Sequence, residues 1–166
     1  MIVGKGDIAS VLVDKGNRTY FCSGVSNSRE TRESEYQREK DLLLKQDKYK
    51  RLVYFSSLCV FYNDNRYTTH KKEMEQLVKE NFKNYTIMRL GNIAWGTNPN
   101  TLLNFFRNKI KNNEPLEIWD VWRYVICKEE FLYWIEMIPD WNCEMNIPGV
   151  RSKVIDIVND LRRNNI

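Results

Sequence analysis

Short apolar runs alternate along this chain with longer stretches whose apolar residues recur at helical spacing. The clearest run is Arg51–Ser57, whose Leu-Val-Tyr-Phe core is typical of a strand buried on both faces of a sheet. It lies between two helical patterns, at residues 35–48 and 67–82. Strands that alternate with helices indicate a mostly parallel sheet with helices on both faces. The predicted fold class is therefore α/β, with three layers.

The other predicted elements follow the same alternation. The first four strands are expected side by side in chain order, joined by right-handed crossovers. Further strands are predicted at residues 1–3, 19–22, 86–90, 116–118, 122–126 and 145–147, and further helices at residues 8–16, 102–111, 129–137 and 153–162.

Composition limits the class of protein. A length of 166 residues fits one domain over residues 1–166, and 42% apolar with 13% aromatic residues is enough for a packed core. The net charge of +4 contains no block of like charge, so nucleic-acid binding is not expected. No signal peptide or membrane-length run is expected, which predicts a cytoplasmic protein with no membrane partner. Four cysteines without a Cys-x-x-Cys pair, and one histidine, predict no metal site.

A glycine turn follows the first strand, in the pattern Gly4-x-Gly6-x-x-Ala9, and leads into the predicted helix at residues 8–16. In that context glycines let the backbone approach a pyrophosphate, which the amides of the helix N-terminus then bind. An ordinary tight turn between a strand and a helix is the alternative. The strand at residues 19–22 is not followed by the Asp or Glu that usually holds a ribose, so either the adenosine half is held differently or a strand pair is missing.

A second pattern, Tyr67-Thr-Thr-His-Lys71, follows the strand that ends in Ser56-Ser57. Tyr67 and Lys71 lie on one helix face because they are four residues apart. An ammonium close to a phenol lowers the phenol pKa, and a serine hydroxyl can bind the same substrate oxygen. Together these groups can move a proton to or from a carbonyl or alcohol oxygen. The alternative is a partly buried tyrosine beside a solvated lysine.

The order of these parts resembles the short-chain dehydrogenase/reductase superfamily, and more narrowly its extended branch, the NAD-dependent epimerases and dehydratases that act on nucleotide sugars. The resemblance rests on residues 52–61, on the Arg-x-x-Asn-x-x-x-Gly run at 89–96, on Trp-Arg-Tyr-Val-Ile at 122–126, and on Asn-Ile-Pro-Gly at 146–149. It implies a Rossmann-like sheet with a reduced number of strands. It also implies a small substrate-binding part at about residues 98–126 within the single domain.

The resemblance implies a role for each matching residue. Tyr67 would be the acid/base, Ser57 would orient the substrate oxygen, and Lys71 would hold the cofactor ribose and tune Tyr67. Some epimerases use a cysteine at the position of Cys59 for proton transfer, whereas a buried strand cysteine is more often inert. The implied cofactor contacts are Gly4, Gly6, Ala9, Ser23, Gly24, Ser56 and Lys71, and the implied substrate contacts are Asn92 and Arg123.

Three further side chains have two interpretations each. His70 is expected to be an exposed helix residue, with a part in proton transfer as the alternative. Trp134 is expected in the core, whereas Trp95, in a loop near the expected site, could serve the core or stack on a base or sugar.

The predicted function is an NAD- or NADP-dependent oxidoreductase or epimerase that acts on a nucleotide-linked sugar. The alternative is a pseudo-enzyme or nucleotide-binding protein that has lost productive cofactor binding. A homodimer is also predicted, because a first strand without further neighbours would leave an open sheet edge. The resemblance places the dimer contacts on the helices at 35–48 and 67–82, through Tyr36, Leu43 and Met74.

Overall fold

A computed structural model describes residues 1–163, which form eight strands and five α-helices. The strands are β1 (Ile2–Val3), β2 (Arg18–Phe21), β3 (Arg51–Ser57), β4 (Tyr85–Leu90), β5 (Asn92–Ile93), β6 (Trp122–Ile126), β7 (Cys143–Ile147) and β8 (Val150–Lys153). The helices are α1 (Glu33–Leu44), α2 (Arg66–Asn81), α3 (Leu102–Lys111), α4 (Lys128–Glu136) and α5 (Val154–Arg163).

The main sheet contains five parallel strands in the order β1-β2-β3-β4-β7. Tyr20 pairs with Ile2 on one side and with Val53 on the other, and Val53 pairs in turn with Thr86. The predicted parallel order of the first four strands is therefore confirmed. β7 adds a fifth strand, in which Met145 pairs with Met88.

Helices cover both faces of this sheet, as predicted, because side chains along each strand alternate between the faces. On one face Leu43 of α1 and Met74 of α2 pack against Tyr54. On the other face Phe131 of α4 packs against Phe55, with ring centroids 5.7 Å apart. Full burial of side chains of this size stabilises the fold by roughly 1.5–3 kcal/mol each.

A second, three-stranded sheet, in the order β5-β6-β8, lies beyond the carboxyl end of β4. Helices α3 and α5 pack together on it through Phe106 and Val158. The predicted strand at residues 116–118 is wrong, since Leu116 and Ile118 pack against this cluster without pairing in a sheet. The short β5 and β8 were not predicted.

The predicted helix at residues 8–16 is also wrong. The chain makes a single 3-10 turn at Ala9–Val11, and Leu12 is already extended, with φ −86° and ψ 150°. Ile8, Val11 and Leu12 nevertheless pack into the core on the α4 face, which accounts for their apolar spacing. The turn is held from outside by contacts of Asp7, described below.

The predicted dimer contacts are wrong as well, because Tyr36, Leu43 and Met74 are 1%, 0% and 0% exposed inside the chain. These residues form the inward faces of α1 and α2, and the residues on the outward faces are mostly charged or polar. Among residues 1–163, none of the helices combines the length and the apolar character that crossing a membrane requires.

Candidate functional site

A cleft of about 1130 Å³ opens where strands β1 to β4 end. Ligands of open parallel sheets bind at the carboxyl ends of the strands. All the predicted site residues except Ala9 line this cleft: Gly4, Gly6, Ser23, Gly24, Ser56, Ser57, Cys59, Tyr67, Lys71, Asn92 and Arg123. Ala9 lies outside it, in the 3-10 turn that replaces the predicted helix.

The β3–α2 connection places the three predicted catalytic residues. Ser57 ends β3 and caps the 3-10 turn Leu58–Phe61, and its Oγ accepts a hydrogen bond of 3.3 Å from the amide of Cys59. Helix α2 begins after Asn65, whose side chain and that of Thr68 form a reciprocal capping box. Tyr67 therefore lies in the first turn of α2 and Lys71 one turn later.

Tyr67 is 8% exposed and packs with Val25, Tyr36 and Cys59. Lys71 Nζ lies 5.7 Å from the centroid of the Tyr67 ring. Burial, followed by the nearby Cys59 and Glu39, raises the pKa of Tyr67 well above its usual value. The lowering expected from Lys71 does not outweigh these effects, so the phenol is neutral at pH 7.

The side chain that pairs with Lys71 was not predicted. Glu39 of α1 is fully buried, and its Oε1 lies 3.1 Å from Lys71 Nζ. Burial alone would raise the pKa of Glu39, but the charge of Lys71 and the hydrogen bonds from His70 and the Val25 amide lower it to about 2. Glu39 is thus a buried carboxylate. Its spacing from Tyr36 and from Leu43, on the inward face of α1, was the available sequence signal.

His70 is buried, so its predicted exposure is wrong. Its Nε2 lies 2.9 Å from Glu39 Oε2, and its ring centroid lies 4.5 Å from that of Tyr36. His70 therefore contributes to the interior environment of Glu39. It does not line the cleft.

Gly24 makes room for the Glu39–Lys71 pair. A Cβ at this position would lie 2.9 Å from Lys71 Nζ and 3.0 Å from Glu39 Oε1. Any larger residue would displace these two side chains. Gly24 was predicted to contact a cofactor, but the packing of the Glu39–Lys71 pair also requires a glycine at this position.

A second buried ion cluster lies behind Ser56. Ser56 Oγ donates a hydrogen bond of 2.6 Å to Glu75 Oε1, which also accepts one of 2.9 Å from Arg89 Nε. Arg89 further pairs with Glu144, which also binds Lys79. The Ser56 hydroxyl is therefore directed toward the interior. Sequence reasoning did not single out Glu75.

The glycine loop forms the opposite side of the cleft. Gly4 has a φ of +113°, and a Cβ there would lie 2.7 Å from the Cys22 carbonyl oxygen. The carboxylate of Asp7 accepts hydrogen bonds of 3.0 Å from the amides of Thr97 and Asn98. We call these two bonds the Asp7 clasp. They hold the loop in place where a helix was expected.

Trp95 reinforces the same contact, since its Nε1 donates a hydrogen bond of 3.0 Å to the Asp7 carbonyl oxygen. Its ring packs on Phe131, with centroids 5.1 Å apart, and Trp134 packs against the same core. Of the two interpretations of Trp95, the structure supports a packing role.

The cleft carries more positive than negative side chains. Asp7 is the sole acidic residue among the residues that line it. Arg123 lies with its guanidinium carbon 5.6 Å from the centroid of the Tyr62 ring, and Arg38 donates a hydrogen bond of 3.2 Å to the Ser23 carbonyl oxygen. This balance suits an anionic ligand such as a diphosphate. The basic residues that line the cleft are Lys5, Arg29, Arg38, Lys71 and Arg123.

Two other predicted residues have defined surroundings. Asn92 Nδ2 donates a hydrogen bond of 2.9 Å to the Tyr124 carbonyl oxygen, which ties the side chain to the neighbouring strand β6 of the second sheet. Cys59 is 7% exposed, and burial raises the pKa of its thiol despite a hydrogen bond with Ser57. Cys59 is therefore a neutral thiol at pH 7, and its part in proton transfer stays a prediction.

The residues present fit the nicotinamide and phosphate parts of a dinucleotide. Gly24 leaves space beside the Lys71 ammonium, which has three N–H donors and uses two of them, on Glu39 and Tyr54. Gly6 has open space around its Cα, so a ligand can approach its backbone. No acidic residue at the end of β2 lines the cleft, so the adenosine ribose lacks its usual partner.

No protein-family model matches this chain, and no curated protein sequence does either. Solved structures do match its fold. The enzyme WbmG of Bordetella bronchiseptica, in complex with NAD, aligns with a TM-score of 0.70 and 11% identity over 90% of this chain and 56% of its own. UDP-glucose 4-epimerase of Thermotoga maritima, with UDP-glucose, aligns with a TM-score of 0.70 and 14% identity over 89% and 60%.

A reductase has the same fold. The dTDP-4-dehydrorhamnose reductase of Bacillus anthracis, in complex with NADP, aligns with a TM-score of 0.71 and 15% identity over 90% of this chain and 62% of its own. The chain thus shares its fold with an enzyme bound to NAD, an epimerase bound to UDP-glucose and a reductase bound to NADP. It spans about 56–62% of the length of these proteins.

Proposed function

We propose that this chain is an NAD- or NADP-dependent oxidoreductase or epimerase that acts on a nucleotide-linked sugar. The observation that carries the proposal is the meeting of Ser57, Tyr67 and Lys71 in one cleft at the strand ends. The fold is shared with proteins whose structures contain NAD, NADP or UDP-glucose. The predominantly basic lining of the cleft supports ligands that carry a diphosphate.

In this mechanism the nicotinamide, when bound, supplies the acceptor or donor of a hydride. The chain supplies the proton transfer and the orientation. Tyr67 Oη exchanges a proton with the substrate oxygen, and Ser57 Oγ donates a hydrogen bond to that oxygen. Lys71 offers its remaining N–H to a cofactor ribose hydroxyl. Because the pKa of Tyr67 is raised, its neutral phenol is the form that donates a proton to a carbonyl oxygen.

The substrate-binding part of the proposal concerns the second sheet. Arg123 on β6 and Asn92 on β5 both line the cleft. A guanidinium binds a diphosphate through paired hydrogen bonds, so Arg123 is the proposed contact for that group. Asn92 would use its carboxamide oxygen and the second N–H of Nδ2, because the first N–H already binds the Tyr124 carbonyl oxygen.

We also propose a homodimer, because β1 is a two-residue edge strand of the main sheet. The contact surface must differ from Tyr36, Leu43 and Met74, which are buried. Light scattering at micromolar concentration tests this: twice the chain mass is expected, and a monomer mass contradicts it.

A second candidate function is a nucleotide-binding protein without turnover. It is favoured by the loss of the helix after the glycine loop, since helix N-terminal amides would bind a pyrophosphate. The absence of an acid at the end of β2, in the lining of the cleft, also favours it.

Binding and turnover experiments separate the two candidates. Purified protein is titrated with NAD and with NADP by calorimetry, and Lys71→Met serves as the control because it removes the ribose contact. Saturable binding by the unaltered protein that weakens in Lys71→Met is expected. A subsequent screen of nucleotide sugars, followed by nicotinamide absorbance and product analysis, should reveal turnover. Binding without turnover would favour the second candidate, and no saturable binding at millimolar ligand would contradict the first.

A further inference from the structure

We propose that Glu39 is a positioning residue for the reaction proposed above: it holds the Lys71 ammonium beneath Gly24 and offsets its charge beside Tyr67. The inference rests on the proposed function, because it assigns the partner that controls one member of the catalytic set. Glu39 does not line the cleft and so acts through Lys71.

The carboxylate of Glu39 is saturated by groups from three parts of the fold. It has polar partners at Val25 N (2.7 Å), Tyr54 Oη (2.8 Å), His70 Nε2 (2.9 Å) and Lys71 Nζ (3.1 Å). A carboxylate offers about four lone-pair positions, so all of them are used. A buried acid without partners would destabilise the fold, whereas this one is tied to α2, β3 and the loop before α1.

This arrangement fixes where the Lys71 ammonium lies. Two of its three N–H groups bind Glu39 and Tyr54, each over 3.1 Å, which leaves one for the cleft. The position is possible because Gly24 has no side chain. The direction of the free N–H is therefore set by Glu39 and Tyr54, before any ligand arrives.

The same pair sets the electrostatic environment of Tyr67. The groups that face the phenol, from α1, α2 and the turn after β3, are Tyr36, Glu39, Cys59, Tyr62 and Lys71. Of these, Glu39 and Lys71 carry charge at neutral pH, and their charges are opposite. Glu39 therefore offsets the attraction that an isolated lysine would exert on a phenolate.

A fluorinated tyrosine at position 67 tests this inference, since its phenol is more acidic than that of tyrosine and its fluorine signal reports ionisation by NMR. In Glu39→Gln, the ionised fraction of this phenol at a given pH should rise at least about tenfold, because Lys71 is no longer offset. Glu75→Gln is the matched control, since it also removes a buried carboxylate paired with a cation. It should destabilise the fold without changing the titration at position 67.

A double variant keeps the inference testable if Glu39→Gln does not fold. Glu39→Gln with Lys71→Met removes both charges, so the ionised fraction should stay within about threefold of the unaltered protein. A fall of tenfold or more in the double variant would overturn the inference, because Lys71 would then act on Tyr67 without offset. The inference would also be overturned if the phenol at position 67 had a pKa in Glu39→Gln no lower than in the unaltered protein.

This measurement needs neither cofactor nor substrate. If the titrations follow the expected order while no dinucleotide binds, the proposed function fails and the role of Glu39 in setting Lys71 stands. If dinucleotide binds and turnover is found while the titrations do not change, the proposed function stands and the role of Glu39 in setting Lys71 fails.

Discussion

The two sides of the cleft are built by opposite means. On one side, a regular strand and a capped helix place Ser57, Tyr67 and Lys71, and a saturated carboxylate anchors the lysine. On the other side, an irregular glycine loop is held by the Asp7 clasp to a loop about ninety positions away. The first side therefore rests on a strand, a capped helix and one buried ion pair, whereas the second side rests on hydrogen bonds between Asp7 and residues far along the chain. The difference teaches that the segment after the glycine loop can be non-helical while Ser57, Tyr67 and Lys71 still meet in the cleft.

The largest expected effect falls on the helix side. Tyr67→Phe removes the hydroxyl alone, so turnover of a sugar substrate should fall by roughly 10²–10⁴-fold while cofactor binding persists. The change is measured by nicotinamide absorbance at saturating substrate. Tyr62→Phe is the control, because Tyr62 lines the same cleft without belonging to the set. Turnover of Tyr67→Phe at the unaltered rate would refute the assignment.

Low pH should destabilise the side of the cleft that contains Glu39 and Lys71. The pKa of Glu39 is about 2, below its usual value of 4.5, so its stabilising contribution is full above pH 4.5 and is lost as the pH falls toward 2. The free energy of unfolding should decline over that window, by a few kcal/mol. Urea titrations at a series of pH values measure it, and Glu39→Gln should show a flatter profile. Equal slopes in the two proteins would show that Glu39 is not held as described.

Two glycine substitutions sharpen the description of the loop side. Gly96 has a φ of +88°, and a Cβ there would lie 2.1 Å from Asp7 Cγ. Gly96→Ala should therefore cost at least about 2 kcal/mol, from backbone strain and displacement of the clasp. Gly6→Ala is the matched control, because nothing lies within 4 Å of its added Cβ. Its stability should change by less than about 1 kcal/mol, although dinucleotide affinity should fall. Equal urea midpoints for the two variants would contradict the clasp.

The smallest effect is expected where the loop segment meets α4. Lys15 Nζ lies 2.6 Å from Glu136 Oε2, and both side chains are about half exposed. Lys15→Ala should change stability by less than about 0.5 kcal/mol, since exposed ion pairs are screened by water. Thermal unfolding measures it. A loss as large as that of Gly96→Ala would mean that this surface pair, as well as the clasp, holds the loop.

Sequence patterns predicted most of the main sheet and brought Ser57, Tyr67 and Lys71 to one cleft, while the catalytic role of these three residues stays a prediction. The strand order follows from the alternation of strands and helices. The positions of Ser57, Tyr67 and Lys71 follow from short-range spacing, which the fold preserves. The helix at residues 8–16 failed because the partners of Asp7 lie far along the chain, and no short window contains them. Glu39 was missed because a charged residue at an inward helix position is ordinarily expected to be solvated.

The exposure of helix residues shows the same limit. Tyr36 and Met74 were assigned to a partner surface because apolar spacing identifies a buried face without saying what covers it. Within the same chain, Tyr36 packs with Val25, Cys59 and Tyr67, and Met74 packs against Tyr54 of the sheet. His70 is buried for the related reason that α2 packs closely enough to α1 to enclose a polar side chain with its acid.

The strands of the main sheet occur in space in the order in which they occur in the chain. During synthesis on the ribosome, each new strand can therefore dock on the edge formed by the one before it. The separations between paired residues are 18 positions for Ile2 and Tyr20, but 57 for Thr86 and Cys143. Loop closure slows as separation grows, so β7 should dock last. Until it does, the β4 edge stays open, and a growing chain would be most exposed to chaperones and to self-association in that interval.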